Sequence, residues 1–123
     1  MRLLLDTHVL LWWLADDRRL GDDHRDLISD ASNIVLVSAM TVAEIAIKTS
    51  LGKLAAPDDL LPTLEAGGFD GLTFESRHAE VLRSLPWHHR DPFDRMLIAQ
   101  AIAEQLTILT ADPHFAAYGV GLR

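Results

Sequence analysis

The sequence contains no cysteine. This absence excludes disulfide bridges, thiolate metal sites and cysteine nucleophiles, and it is compatible with a reducing compartment. The chain also lacks an apolar run near the roughly 18 to 20 residues that a membrane-spanning helix needs, and its amino terminus lacks the basic region and small-residue cleavage site of a signal peptide. We therefore expect no membrane segment and a cytoplasmic location.

Positive charge is scarce in this sequence. Its 11 Lys and Arg residues stand against 18 Asp and Glu residues, which gives a formal net charge of -7. This balance argues against a protein that coats nucleic acid electrostatically. It does not exclude a nuclease, because metal ions held by carboxylates can invert the local electric field. At 123 residues, 49% of them apolar, residues 1–123 suit one domain with a real core.

Short apolar segments alternate with helix-like segments along the chain. Strands are predicted over 3–5, 33–37, 72–74 and 107–110, with a fifth, edge strand over 120–122. Helices are predicted over 7–15, 21–32, 39–51, 58–66, 76–85 and 92–105. This alternation predicts βαβ units with right-handed crossovers. The expected fold is α/β, a three-layer α/β/α domain with a central parallel sheet of four or five strands.

Four carboxylates are predicted at or just beyond the carboxyl ends of strands, the edge where ligands collect in open α/β sheets. They are Asp6, Glu44, Asp94 and Asp112. Two acids also have a structural interpretation: Asp91 and Asp112 each precede a proline at the start of a helix or turn, which suits an N-cap. Asp94 then falls in the capping-box position after Asp91.

Glu44 lacks such a structural explanation. It lies too far into its helix to cap it, and helical spacing groups it with Met40, Ile47 and Leu51 on a stripe that we expect to be buried. We identify no Lys or Arg one turn away on that face, and an unpaired buried carboxylate is costly. The acidic cluster needs a cation, and Mg²⁺ or Mn²⁺ suits oxygen ligands. Such ions activate water in phosphodiester cleavage.

Four segments of the sequence resemble the PIN-domain family, and specifically its VapC-like toxins from bacterial and archaeal toxin-antitoxin pairs. These segments are Leu-Leu-Leu-Asp6-Thr7, Ser38-x-x-Thr41-x-x-Glu44-Ile45, Asp91-Pro92-Phe93-Asp94-Arg95-Met96-Leu97-Ile98-Ala99-Gln100-Ala101 and Leu109-Thr110-x-Asp112-x-x-Phe115. Each segment alone is a weak signal, but four in order over the whole chain are specific. The resemblance implies strand order 3-2-1-4-5 and an endoribonuclease that depends on Mg²⁺ or Mn²⁺.

The resemblance also implies a role for each acid. Asp6, Glu44 and Asp94 correspond to the usual metal-binding core, and Asp112 to a more variable position that holds a second metal or a bridging water. Asp91 is an extra acid, which we interpret as a cap with an outer-shell role. The implied reaction is in-line attack of a metal-activated water on a phosphodiester, leaving 5′-phosphate and 3′-hydroxyl ends.

The same resemblance suggests neighbours and partners for the site. Three hydroxyls next to the acids are expected to orient water or carboxylate oxygens: Thr7, Ser38 and Thr110. Four cations are candidates to hold the RNA backbone, although a solvated surface role suits any single one better: Lys48, Lys53, Arg90 and Arg95. The implied partners are an RNA substrate, a VapB-like antitoxin whose carboxyl-terminal segment covers the site, and a second copy in a homodimer. The side chains of Trp12 and Trp13 suit such a contact or a thick core.

Several other interpretations compete with the nuclease. A catalytically silent PIN-like scaffold that binds RNA or a partner is disfavoured by the presence of all the acids. A zinc site at His88, His89 and Asp91 lacks a recognised ligand spacing. An aspartyl phosphatase normally places a second Asp where His8 stands. A receiver-like signalling domain needs an acceptor Asp and a Lys at strand ends, where 37–38 and 110–111 supply neither.

Overall fold

The central sheet consists of five parallel strands in a computed structural model that covers residues 1–123. They are β1 (Arg2–Leu5), β2 (Ile34–Ser38), β3 (Asp70–Leu72), β4 (Thr107–Leu109) and β5 (Gly121–Leu122). Their order is β3-β2-β1-β4-β5, and every pairing is parallel. The predicted fold class and strand order are thus confirmed.

Helices cover both faces of this sheet. They are α1 (Thr7–Leu14), α2 (Asp22–Ser29), α3 (Ala39–Ser50), α4 (Leu60–Ala66), α5 (Ser76–Val81) and α6 (Pro92–Glu104), and a 3₁₀ turn follows at Pro113–Tyr118. Successive side chains of a strand point to opposite faces. Leu3 and Leu5 of β1 accordingly lie in one core cluster with residues of α1 and α3, while Leu4 lies in a second cluster with residues of α6. Three layers result, with β1 in the middle.

None of the helices combines the length and the apolar character that crossing a bilayer requires. The longest, α6, has 13 residues. The half-buried side chains of Trp12 and Trp13 pack against the first core cluster, as expected for a thick core.

The predicted third strand was placed too late in the chain. β3 runs over Asp70–Leu72 rather than 72–74, and its last residue pairs with Ser38. Since β2 ends at Ser38, where the chain turns into α3, Thr73 and Phe74 have no neighbouring strand to pair with. The position of β3 therefore depends on the end of another strand and not on its own apolar residues.

Some predicted helix ends also differ from the structure. α2 ends at Ser29 and not at residue 32, because the side chain of Asp30 accepts a hydrogen bond from the backbone N–H of Ser32 at 2.9 Å. Such local turns compete with the helix. α4 begins at Leu60 rather than at 58, and α5 ends at Val81 rather than at 85.

The buried face of α3 was also predicted wrongly. Leu51 is 61% exposed and Ile47 is exposed too, whereas Thr41, Glu44 and Ile45 are buried. The helix carries several apolar stripes, and the sheet selects the one that contains Thr41 and Ile45. Glu44 is nevertheless buried as expected, but its neighbours on that face differ from those predicted.

Candidate metal centre

Asp6 is fixed at the junction of β1 and α1. Its Oδ1 accepts the backbone N–H of Val9 at 2.8 Å, which makes it the N-cap of α1, and its Oδ2 accepts the hydroxyl of Thr110. Burial raises the pKa of Asp6 above its ordinary value, although both hydrogen bonds act in the opposite direction. The side chain thus has a defined orientation and lies where a proton or a cation is needed to balance its charge.

Glu44 is held by two neighbours on the buried face of α3. The hydroxyl of Thr7 donates to its Oε1 at 2.5 Å, and the ammonium group of Lys48 donates to its Oε2. The expectation that no cation lies one turn away was therefore wrong, since Lys48 is four residues further along the helix. The hydrogen bond to Glu44 raises the pKa of Lys48, and the charges of Asp91 and Asp94 add to this effect. Lys48 consequently remains charged beside the acids.

Asp94 projects from the first turn of α6 towards the loop that precedes the helix. Its Oδ2 lies 2.7 Å from Nε2 of His89. Burial raises the pKa of Asp94 to about 6, and the negative charges of Asp91 and Glu44 add to the rise while His89 opposes it. A carboxyl group with this pKa binds a proton readily at mildly acidic pH, so its charged form is strained by its surroundings.

Asp91 acts as the predicted N-cap of α6. Its Oδ1 accepts the backbone N–H groups of Phe93 at 2.9 Å and of Asp94 at 3.1 Å. The predicted capping box is incomplete, because the side chain of Asp94 contacts His89 instead of the backbone of Asp91. The first turn of α6 thereby presents the carboxylate of Asp94 to the acidic cluster.

Asp112 caps the 3₁₀ turn after β4, as predicted. Its Oδ1 accepts the backbone N–H of His114 at 2.9 Å and lies 2.8 Å from Nδ1 of the same residue. Burial acts to raise the pKa of Asp112, but these hydrogen bonds outweigh it and the net shift is downward. One possible ligand atom each from His89, Asp94 and Asp112 falls within 4.8 Å of the others. Asp112 and Asp94 are thus close neighbours, and the imidazole of His89 lies close to both.

The contact of His89 with Asp94 was not predicted. Sequence reasoning assigned this histidine to a zinc alternative with His88 and Asp91, but the two adjacent rings have different neighbours. His88 packs edge-on against Tyr118 at a ring distance of 5.1 Å, whereas His89 stacks on His114 at 5.1 Å. The available signal was the position of His89 on the loop just before α6.

Not every predicted neighbour contacts an acid. Thr7 and Thr110 donate to Glu44 and Asp6, but Ser38 donates to Oε1 of Gln100 at 2.5 Å and caps α3 through the backbone N–H of Met40. Arg95 is 4% exposed and therefore unsuited to holding an RNA backbone. The sequence suggested a surface role because α6 was not expected to turn this residue towards the 86–90 loop. Lys53 and Arg90 are exposed.

The donor chemistry of the cluster fits a divalent cation. Carboxylate oxygens are the ligands that Mg²⁺ prefers, and Mn²⁺ accepts oxygen together with imidazole nitrogen. Burial raises the pKa values of Asp6 and Asp94, and a nearby cation would relieve that strain. One buried hydroxyl, Oγ1 of Thr41, has no hydrogen-bond partner and belongs to the residue one turn before Glu44. Asp6, Glu44, Asp94 and Asp112 are the acids that could hold the ion, and of these Asp94 and Asp112 have ligand atoms within 4.8 Å of each other, together with His89.

The parallel α/β/α sheet and the acids at its carboxyl edge agree with the match to a family of known domains. The family model of the PIN domain matches residues 3–121, and the chain belongs to the PIN-domain family, whose members are nucleases. The resemblance found in the sequence motifs is thus confirmed at the level of this family.

Several solved structures share this fold. VapBC2 from Rickettsia felis, bound to a DNA fragment from its promoter, has a TM-score of 0.73 at 16% identity and covers 100% of this chain and 98% of that chain. DNA-bound VapBC from Salmonella typhimurium has a TM-score of 0.73 at 16% identity, with 100% and 97% covered. VapBC-5 from Mycobacterium tuberculosis has a TM-score of 0.58 at 24% identity, with 99% and 95% covered. No curated protein matches the sequence significantly.

Proposed function

We propose that this protein is a metal-dependent endoribonuclease that acts as the toxin of a toxin-antitoxin pair. The observation that carries the proposal is a set of links between three acids on different elements: Thr7, the residue after Asp6, donates to Glu44, and the charge of Glu44 adds to the rise in the pKa of Asp94. Two of them are buried and the third is half-buried, and burial raises the pKa values of Asp6 and Asp94, a strain that a bound cation would relieve. Membership of a nuclease family supplies the reaction class, hydrolysis of phosphodiester bonds.

Each residue of the cluster has a definite task in this proposal. Asp6, Glu44, Asp94 and Asp112 hold Mg²⁺ or Mn²⁺, which when bound supplies an activated water and offsets charge on the phosphate. Thr110 and Thr7 keep the carboxylates of Asp6 and Glu44 in one orientation. Ligands already held in place need little reorganisation when the ion and the substrate bind.

Lys48 and Asp91 support the same site from further out. Lys48 carries a positive charge beside the carboxylates, where a substrate phosphate would be attracted. Asp91 fixes the first turn of α6 through two backbone hydrogen bonds. The cap thereby fixes the direction of the Asp94 side chain.

The proposal is tested by RNA cleavage with purified protein in Mg²⁺, Mn²⁺ or EDTA. We expect metal-dependent cutting of a structured RNA pool by the wild type and none by Asp6→Asn or Glu44→Gln. Asp26→Asn is the matched control, because Asp26 is an exposed acid of α2, and it should cut like the wild type. Thermal unfolding checks that each variant is folded. Cleavage retained by both site variants in their folded form would remove this site assignment.

A catalytically silent scaffold that binds RNA or a partner is the second candidate. It is favoured by one observation: Lys48 and Thr7 already satisfy both carboxylate oxygens of Glu44, so that this acid does not depend on an ion. A scaffold would bind RNA or a partner without cleaving RNA, whether or not Mg²⁺ or Mn²⁺ binds to it. Metal-dependent cleavage that Asp6→Asn abolishes would argue against the scaffold.

The proposed partners are a VapB-like antitoxin and a second copy of this chain. Similar folds occur in the VapBC complexes described above. We propose that the carboxyl-terminal segment of the antitoxin covers the acidic edge. Co-expression followed by a cleavage assay tests this, since the bound partner should suppress cutting.

A further inference from the structure

Trp87 is the most exposed large hydrophobic side chain of the protein, with 75% of its surface accessible. The other two tryptophans, Trp12 and Trp13, are half-buried against the core. A single exposed apolar side chain is common and by itself indicates nothing. What distinguishes Trp87 is the residue beneath it.

The indole ring of Trp87 rests on the buried guanidinium of Arg95, whose central carbon lies 3.7 Å from the ring centroid. Arg95 is held in turn by loop carbonyls, since it donates to Pro86 at 2.7 Å and to Leu85 at 3.1 Å. It also donates to the hydroxyl of Tyr118 at 3.3 Å. The cation therefore fixes one face of the ring and leaves most of the indole surface open to solvent.

The loop that carries this ring also contacts the acidic cluster. Arg95 also donates to the carbonyl of His89 at 3.4 Å, and the ring of His89 lies 2.7 Å from the carboxylate of Asp94. The same short loop thus carries both the exposed indole and the imidazole that contacts an acid. Beside Trp87 a hollow of about 260 Å³ is lined by apolar side chains and by the arginines Arg90 and Arg95.

The charge of the protein makes a stacking site useful for a nucleic-acid substrate. With a net charge of -7, the chain gains little affinity from general attraction to phosphates. Lys48 is paired with Glu44, and Arg95 is buried. Base stacking on an aromatic side chain does not depend on net charge and is the main way in which proteins bind single-stranded RNA bases.

We propose that Trp87 is a positioning residue on which a base of single-stranded RNA stacks, close to the bond that is cut. Arg90 is exposed on the same loop and lines the hollow beside Trp87, and in this proposal it contacts the adjoining phosphate. This inference rests on the proposed ribonuclease function and adds to it a binding site for the substrate. Because Arg95 already holds the ring, the base would stack without the entropy cost of ordering the side chain.

Steady-state cleavage of a short single-stranded RNA, taken from a site cut by the wild type, tests the proposal. We expect Trp87→Leu to raise KM about 5- to 150-fold, the range for loss of one stacked base, with kcat little changed. Trp87→Phe, which keeps an aromatic face, should recover most of the loss. Ile102→Ala removes an exposed apolar side chain from the far end of α6 and should leave KM unchanged.

Abasic substrates give a second readout that does not depend on the folding of a variant. Removing the bases near the cut one at a time should raise KM for the wild type at one position. Removing the base at that position should not change the KM of Trp87→Leu, since the side chain on which the base stacks is already absent. A wild-type KM that no abasic substitution changes would overturn the proposal.

The outcomes separate this inference from the function on which it rests. If the wild type cleaves RNA and Trp87→Leu keeps the wild-type KM, the stacking site is wrong and the nuclease stands. If Trp87→Leu instead loses self-association or antitoxin affinity at unchanged KM, the indole belongs to a protein contact and the proposal fails. If the wild type neither binds nor cleaves any RNA, both proposals fail together.

Discussion

Asp94 is expected to destabilise the protein when no cation is bound. Its side chain is only 19% exposed, and burial raises its pKa from 3.8 to about 6. Each unit of pKa shift corresponds to about 1.4 kcal/mol, so a rise of this size costs the folded state about 3 kcal/mol when the group is ionised. Asp94→Asn removes the charge and keeps the shape. In EDTA at pH 7 it should raise the free energy of unfolding by about 1 to 3 kcal/mol.

The destabilisation of the folded state by ionised Asp94 depends on pH. Well below pH 3.8 the carboxyl group of Asp94 is protonated in both the folded and the unfolded chain, so it contributes nothing. Between pH 3.8 and about 6 the folded state keeps a proton that the unfolded state releases, and stability falls as pH rises. Above this range the full cost is present. The stability difference between Asp94→Asn and the wild type should therefore be small at pH 4 and largest at pH 7.

Urea denaturation at several pH values measures this difference, and Asp112→Asn provides a control of opposite sign. The pKa of Asp112 is lowered, so its ionised form stabilises the fold above its ordinary pKa, and that contribution is lost as pH falls. Asp112→Asn should lower stability at pH 7. The reasoning is refuted if Asp94→Asn is less stable than the wild type at pH 7 in EDTA, or if their difference does not change between pH 4 and 7.

Three further predictions concern the surroundings of the site. Lys48→Met leaves the charge of Glu44 without its cationic partner and should lower stability in EDTA, as followed by thermal unfolding. Adding Mg²⁺ or Mn²⁺ should restore the stability, and no recovery would mean that no ion replaces the lysine. Arg95→Lys loses the planar donor fork between loop carbonyls and should cost about 2 to 4 kcal/mol in urea denaturation; a wild-type midpoint would contradict it. Trp13→Ala should weaken self-association or antitoxin binding, and unchanged sedimentation together with unchanged affinity would assign this side chain to the core alone.

The fold could be predicted from local sequence patterns, and the structure confirms these predictions. Three consecutive leucines predict a strand buried on both faces, and Leu3, Leu4 and Leu5 are all fully buried in β1. The alternation of strands and helices then predicts a parallel sheet. It also brings Asp6 to the carboxyl edge, because a residue that follows a parallel strand can lie nowhere else.

What the sequence did not reveal depends on contacts between distant segments. The orientation of α3 is chosen by the sheet beneath it, and the periodicity of an apolar helix leaves several faces open. The error at Leu51 has this cause, whereas the pairing of Lys48 with Glu44 follows from a four-residue spacing on one helix that the sequence already contained. The 86–90 loop has no periodicity at all, so the burial of Arg95 beneath Trp87 and the contact of His89 with Asp94 were beyond local reasoning.

The two buried acids differ in how their charge is balanced, and this difference bears on how the site binds an ion. Glu44 has an internal partner in Lys48, whereas Asp6 has only the neutral donors Val9 and Thr110. An entering cation would therefore gain most from Asp6, whose pKa burial raises, and would have to compete with Lys48 for Glu44. Lys48 offsets the charge of Glu44 when no ion is bound, and under the proposed function an ion at Glu44 would leave the ammonium group free to attract a substrate phosphate. On this argument Lys48→Met should tighten metal binding while weakening the affinity for RNA, two effects that a purely structural lysine would not produce together.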